Sequence, residues 1–157
     1  MTDEPITSFR GDYDFLSNCY PARVTWLGLF FPSAEHAYVA SKSDNPDVWA
    51  LVCNIGSDDP TDRLKAGRNA KNYGRNYIAL RPNWEQVKLS YMALIVTKKF
   101  QDNADLQRRL LETGHRELIE GNNWGDRYWG QCPLGEGKNH LGKILMNVRS
   151  HARMGIL

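Results

Sequence analysis

Six helix-start signals punctuate this chain, and they leave room for little but a mainly helical fold. Ser33, Asn45-Pro46, Asp59-Pro60, Asn83, Asn103 and Asn139 each place a capping residue just ahead of a run with helical content. At Asn45-Pro46 and Asp59-Pro60 the proline takes the first helical position, where its missing N–H is not needed. Asn83-Trp84-Glu85-Gln86 has the form of a capping box. The helix it opens is predicted to run to about Gln101, with Val87, Tyr91, Leu94, Ile95 and Val96 as a broad apolar face, and is the expected central core helix. The helix after Asn45 is expected to bury Val48, Trp49, Val52 and Cys53, and the one after Asp59 to run through Arg68. Asn103 should start a helix through Leu111 that stops near Gly114. Asn139 should cap a last one that buries Leu141, Ile144, Leu145 and Val148.

Strand signals are few. Residues 6–10 can form a short strand, Gly11–Asp14 reads as a turn, and Leu118-Ile119 can form another brief strand. Arg23–Trp26 and Leu29–Phe31, joined by Leu27-Gly28, read as a hairpin. The expectation is an α+β, mainly helical single domain over residues 1–157, with a small N-terminal β-hairpin. At 157 residues and 41% hydrophobic content the chain is long enough for one real core. No internal repeat or linker divides it.

A net charge of +2 is too small to predict a nucleic-acid protein on electrostatics alone, but it is compatible with an anionic substrate. Three cysteines without a CxxC pair suggest neither a zinc ribbon nor a redox dithiol. They fit a reducing compartment, so the cytoplasm is expected, or the nucleus in a eukaryote. The polar, acidic start Met1–Pro5 is unlike a leader peptide, and no apolar run approaches a membrane span. Four scattered histidines with no HExxH give no support to a metal site. Gly135-Glu136-Gly137-Lys138-Asn139 is not a P-loop, and no G-x-S-x-G suggests acyl transfer.

Several stretches carry chemistry. In the helix after Ser33, a 3.6-residue period puts Glu35, Tyr38, Val39 and Lys42 on one face. Glu35 and Lys42 are then about 10 Å apart along the axis, with room for a small substrate between carboxylate and amine. Glu35 sits in the first turn, where the helix dipole favours its ionised form. The competing reading is an ordinary amphipathic helix with a solvated Glu and Lys. Gly67 in mid-helix suggests a close backbone approach, with Arg68 beside it for a phosphate or carboxylate, or for a surface ion pair. Trp84 and Lys88 lie one turn apart. Residues 121–139 form a long stretch rich in glycine and aromatics, with Asp126 between Trp124 and Trp129. Aromatic faces beside a carboxylate suit a flat ring or a sugar, and a structural Ω-loop is the alternative.

The ordered set Phe15-Leu16-Ser17-Asn18, Pro32-Ser33-Ala34-Glu35-His36, Lys42, Gly67-Arg68, Asn83-Trp84 with Lys88 and Met92, Asp126–Gly130, and Gly137–Gly142 with Met146 and Arg149 resembles the NADAR family, which includes YbiA-like proteins. The resemblance covers nearly the whole chain. It implies a compact, mainly helical α+β fold and hydrolysis of a ribose–nitrogen bond without metal or cofactor. Two substrate classes come with it. The leading one is ADP-ribose on guanine bases of DNA or RNA, whose removal would reverse a toxin-type modification, with the ADP-ribose moiety as partner and a monomer sufficient. The other is the phosphorylated early intermediates of riboflavin synthesis. A non-catalytic ADP-ribose-binding module is a third reading.

Breaking such a bond builds positive charge at C1′, which a carboxylate stabilises, and a second group must move a proton. Glu35, Lys42 and Asp126 are the catalytic candidates. Ring-opened ribose exposes an aldehyde, and a desolvated lysine forms a Schiff base with it. Lys42 is therefore the expected nucleophile, Glu35 the acid/base for ring opening, and Asp126 an orienting or proton-transfer partner. Glu35 activating water directly is the fallback. Tyr38 lies beside the substrate. Trp84 and Trp129 are expected to stack on the base or line the ribose pocket. Ser17, Asn18, Arg68, Lys88 and Asn139 are expected to hold phosphate and hydroxyls.

Overall fold

Ser33 begins the element around which half of the chain is packed. In the computed structural model, which describes residues 2–157, its hydroxyl accepts from the His36 N–H at 3.2 Å and caps helix α1, Ala34–Ser41. All eight residues of α1 are buried, polar ones included. The alanines at 34, 37 and 40 explain this, because small side chains let neighbouring backbones approach from several sides. Ser41 Oγ donates to the Ala37 carbonyl and accepts from Trp26 Nε1 at 2.8 Å.

The chain divides into two compact units, Met1–Ser17 with Ala104–Leu157, and Asn18–Asn103. In the second unit, β1 (Val24–Trp26) pairs antiparallel with β2 (Leu29–Phe31), Thr25 opposite Phe30. Leu27 and Gly28 both take positive φ, 53° and 74°, as a two-residue hairpin turn requires. Helix α2 (Pro46–Cys53), capped by Asn45, helix α3 (Lys65–Tyr77) and helix α4 (Trp84–Asp102) all pack against α1. Two glycines seat α3. A Cβ on Gly74 would lie 2.8 Å from Val39 Cγ1 of α1, and one on Gly67 would lie 2.6 Å from the Cys19 Cα. The close approach expected at Gly67 is therefore present.

Several expectations need correction. Asp59-Pro60 does not open a helix. Asp59 Oδ1 accepts from the Thr61 N–H, and Asp62 Oδ1 from the Leu64 N–H, so successive side-chain turns delay α3 to Lys65. The capping box at Asn83 does not form; its carbonyl, not its side chain, accepts from Gln86 N–H. Leu94 is 53% exposed, and α4 buries Trp84, Met92, Ile95, Val96, Lys99 and Phe100 instead. Of the four residues expected to be buried in α2, only Val52 is fully so. The central helix of this unit is α1 rather than α4. At the end of α4 the Asn103 side-chain amide donates to the Lys99 and Arg23 carbonyls.

In the first unit, residues 6–10 are not a strand. Ile6 forms a one-residue parallel bridge with Leu118, and Gly11–Leu16 is a 3-10 helix rather than a turn. Helices α5 (Ala104–Glu112) and α6 (His140–Arg153) pack together. Leu141, Ile144, Leu145 and Val148 of α6 are buried as expected. No helix among the described residues is long and apolar enough to cross a membrane.

Candidate functional site

Lys42 follows α1 directly and is half-buried. Its Nζ lies 5.6 Å from the centroid of the Tyr38 ring. The Tyr38 ring packs 5.2 Å from Trp84, and Trp84 lies 6.2 Å from Tyr91. Arg81 closes this aromatic wall by donating from Nη1 to the Tyr91 hydroxyl at 2.6 Å, while its N–H donates to the Lys42 carbonyl at 2.8 Å. The end of α1 is thereby tied to the start of α4. Trp84 is 4% exposed, so it belongs to the wall and has no open face on which a base could stack.

Burial pushes the Lys42 amine below the ordinary lysine range. The Glu35 carboxylate opposes that shift, and Arg75, Lys71 and Lys88 add to it. The surroundings thus favour a lone pair on nitrogen, the form that attacks carbon. Glu35, one residue inside α1, is 8% exposed, and its N–H donates to the Asn18 carbonyl at 2.9 Å. The solvated Glu and Lys of an ordinary amphipathic helix are not what this helix presents. Asn18 is also buried; its Nδ2 donates to Met92 Sδ at 3.3 Å. Its Oδ1 is buried without a hydrogen-bond partner, an acceptor that a donor on a bound molecule would satisfy.

His36, adjacent to Glu35, has a structural assignment. A carbonyl only accepts, so Nε2 carries the proton it donates to Ile55 at 2.8 Å, and Nδ1 accepts from the Ser33 hydroxyl at 2.7 Å. Burial holds its pKa below the usual histidine value, partly offset by the Ile55 hydrogen bond. The neutral ring pins α1 to the chain after α2.

Other predicted residues are engaged locally. Arg68 is half-exposed and ion-pairs with Asp62. Lys88 Nζ donates to the exposed Glu85 at 2.7 Å. Lys71 and Arg75 of α3, which the sequence reading did not single out, also act electrostatically on Lys42. Their i, i+4 spacing on α3 was the available signal.

Ser17, Asp126, Trp129 and Asn139 belong to the other unit. Ser17 closes the 3-10 helix, donating its N–H to Asp14. Asp126 Oδ1 accepts from the N–H groups of Tyr128 and Trp129 at 3.1 and 2.9 Å, and its backbone is clamped by the buried Asn122 side chain. Trp124 is 54% exposed and gives Asp126 little shielding. Trp129 packs edge-on against Tyr128 at 4.7 Å. The Asn139 side chain does not cap α6. Its Oδ1 accepts from Glu120 N–H and its Nδ2 donates to the Leu118 carbonyl, both within 3.0 Å. The first two N–H groups of α6, of His140 and Leu141, donate instead to the Tyr128 and Trp129 carbonyls. The 121–139 segment is thus a tightly hydrogen-bonded loop. A cavity of about 530 Å³ in this unit is lined by Thr7, Ser8, Arg10 and Trp124 among others, and by none of the predicted site residues. No group of three or more His, Cys, Asp or Glu side chains suited to a metal ion occurs among the described residues.

The class of protein is given by comparison with known families and relatives. The NADAR domain profile matches residues 7–153, and the chain belongs to that family. It is 33% identical over 144 residues to the N-glycosidase YbiA of Escherichia coli, covering 90% of this chain and 83% of that one. It is 34% identical over 151 residues to a riboflavin biosynthesis protein of Vibrio vulnificus, spanning 95% of this chain but only 39% of that protein's length. The NMR structure of E. coli YbiA superposes with a TM-score of 0.80 at 30% identity, covering 99% of this chain and 88% of that one. The mainly helical fold with its two-stranded sheet is therefore that of YbiA.

Proposed function

We propose that this chain is an N-glycosidase that hydrolyses a ribose C1′–nitrogen bond, with ADP-ribosylated guanine in nucleic acid as its substrate. The observation that carries the reading is Lys42, an amine with a depressed pKa at the end of the helix that bears buried Glu35, in a chain whose relatives are named N-glycosidases. In the proposed reaction Glu35 protonates the ring oxygen of ribose, which opens to an iminium at C1′. The Lys42 amine adds to that carbon, and the base leaves with its own nitrogen and a proton. The resulting Lys42 Schiff base takes up water and releases the sugar, which recloses. Substrate and one water become ADP-ribose and guanine, and no electron pair is lost. Asp126 acts as proton-transfer or orienting partner. Asn18, through its unpartnered buried Oδ1, accepts from a ribose hydroxyl. Ser17, Arg68 and Lys88 hold phosphate and hydroxyls, Trp129 lines the sugar, and Asn139 acts by fixing the loop that carries Asp126.

A second reading has a specific basis. The names of the Vibrio relative and of a maize relative, 32% identical over 124 residues, point to riboflavin biosynthesis. On that reading the same chemistry acts on a phosphorylated ribosylamine intermediate. The two are separated by incubating the protein with an ADP-ribosylated guanine oligonucleotide and, separately, with the riboflavin intermediate. Release of free ADP-ribose from the first without cleavage of the second is the expected result. The reverse pattern overturns the substrate assignment. Tight ADP-ribose binding with no turnover of either overturns the enzyme reading.

A further inference from the structure

Helix α3 carries Lys65, Arg68, Lys71 and Arg75 and no acidic residue. At 100° per residue Arg68, Lys71 and Arg75 fall on one stripe. At the N-terminal end of the helix the cations are matched by acids. Lys65 pairs with Asp58 at 3.2 Å and Arg68 with Asp62. The C-terminal half meets the candidate site, because Gly74, between Lys71 and Arg75, is the point where α3 rests on Val39, one turn before Lys42. Lys71 is half-buried and Arg75 exposed. Both act electrostatically on Lys42, as does Lys88 of α4. Lys71 and Arg75 of α3 and Lys88 of α4 thus all act on Lys42 from the positive side, with Glu35 opposing them and Glu85 bonded to Lys88.

We propose that Lys71 and Arg75 are further phosphate-recognition residues of this site, beside those already assigned, and that they select phosphorylated ribosides over unphosphorylated ones. Cations gathered beside Lys42 suit the phosphates of a substrate. Arg75 supplies the planar fork that grips two phosphate oxygens, and Lys71 a compact charge beside it. A substrate anchored there by its phosphates presents its ribose toward Lys42, since α3 and α1 meet at Gly74. The assignment rests on the N-glycosidase reading only for the identity of the ribose, not for the anion.

Calorimetry tests it without turnover. Wild-type protein is titrated with ADP-ribose, inorganic pyrophosphate and adenosine, then the K71Q/R75Q variant with the same three. Removing each charge-assisted hydrogen bond should weaken ADP-ribose binding at least about tenfold, so about a hundredfold for the pair. Pyrophosphate should follow ADP-ribose, and adenosine should be unchanged. K71R should retain most of the affinity, and K143Q on α6 all of it. In the cleavage assay KM rises more than kcat falls, and the pH at which rate climbs moves up, because two charges that lower the Lys42 pKa are gone. An unchanged affinity for ADP-ribose in the double variant overturns the proposal while leaving the N-glycosidase reading standing. So does the absence of pyrophosphate and ADP-ribose binding in the wild type. Weakened binding with no cleavage of any riboside upholds the phosphate site and overturns the glycosidase instead.

Discussion

Replacing Gly67 by alanine should cost stability even though alanine is the better helix former. The propensity gain inside a helix is about 1 kcal/mol. Against it, the new Cβ would stand 2.6 Å from the Cys19 Cα, 2.7 Å from its Cβ and 2.9 Å from its carbonyl oxygen. Comfortable carbon contacts begin near 3.5 Å, so the overlap is roughly 1 Å, and two of the three atoms are backbone that cannot rotate away. Overpacking of this kind costs about 1–3 kcal/mol, and with backbone on the far side the upper end applies. The net expectation is a loss of about 2 kcal/mol. With a urea m-value of about 2 kcal/mol/M, the midpoint falls by about 1 M when unfolding is followed by tryptophan fluorescence. The Gly56→Ala variant is the control, because a Cβ there meets nothing within 4 Å, and it should move the midpoint little. The displaced segment also carries the Asn18 carbonyl that holds the Glu35 N–H, so activity should drop in the same variant. A Gly67→Ala protein as stable as wild type would refute the claim that α3 is seated backbone-to-backbone on residue 19.

Three further outcomes are expected. Lys42→Met keeps the aliphatic stem and removes the amine, so the protein should fold while cleavage is abolished; activity retained in a folded variant would contradict the assignment. Asp126→Asn keeps the acceptor for the Tyr128 and Trp129 N–H groups, so folding should be unaffected while the rate falls about a hundredfold, whereas Asp126→Ala should also lose about 1–3 kcal/mol; full activity in the Asn variant removes Asp126 from the chemistry. His36 has a lowered folded pKa, so the unfolded chain takes up its proton first on acidification: stability is complete above the unfolded value near 6.5 and declines as pH falls toward the folded value. That slope should be missing in a destabilised His36→Gln protein, and its persistence in chemical denaturation at pH 5–7 would assign it to another group.

The parts legible in the sequence were those fixed by local chemistry. Ser33 caps α1 because its hydroxyl reaches the third N–H, and Leu27-Gly28 turns the hairpin because the two-residue loop demands positive φ. Gly67 announced a close approach because a helix interior tolerates glycine poorly without a reason. What failed depended on which of several local options the tertiary structure selects. Asp59 prefers a side-chain turn to a cap, and Asn83 leaves its cap unmade. Leu94 is apolar and exposed, while Lys99 is wholly buried against Phe100, an exchange that no periodicity reveals. That Glu35, Tyr38 and Lys42 lie near one another was legible because α1 carries the first two and ends directly before the third. The electrostatic action of Lys71 and Arg75 on Lys42 was not, because it depends on α3 resting on α1 at Gly74. Asp126, expected as an orienting or proton-transfer partner, and Asn139, expected to hold phosphate or hydroxyls, also bond loop backbone through their side chains, contacts that composition does not reveal.

The central claim is that the Lys42 nitrogen bonds covalently to C1′ of the sugar during turnover. Borohydride added to the reacting protein, followed by peptide mass spectrometry, measures this directly. A stable ribose-derived mass is expected on the peptide containing Lys42, absent without substrate and absent in Lys42→Ala. An unmodified Lys42 peptide under full turnover, or the same adduct in Lys42→Ala, would contradict it.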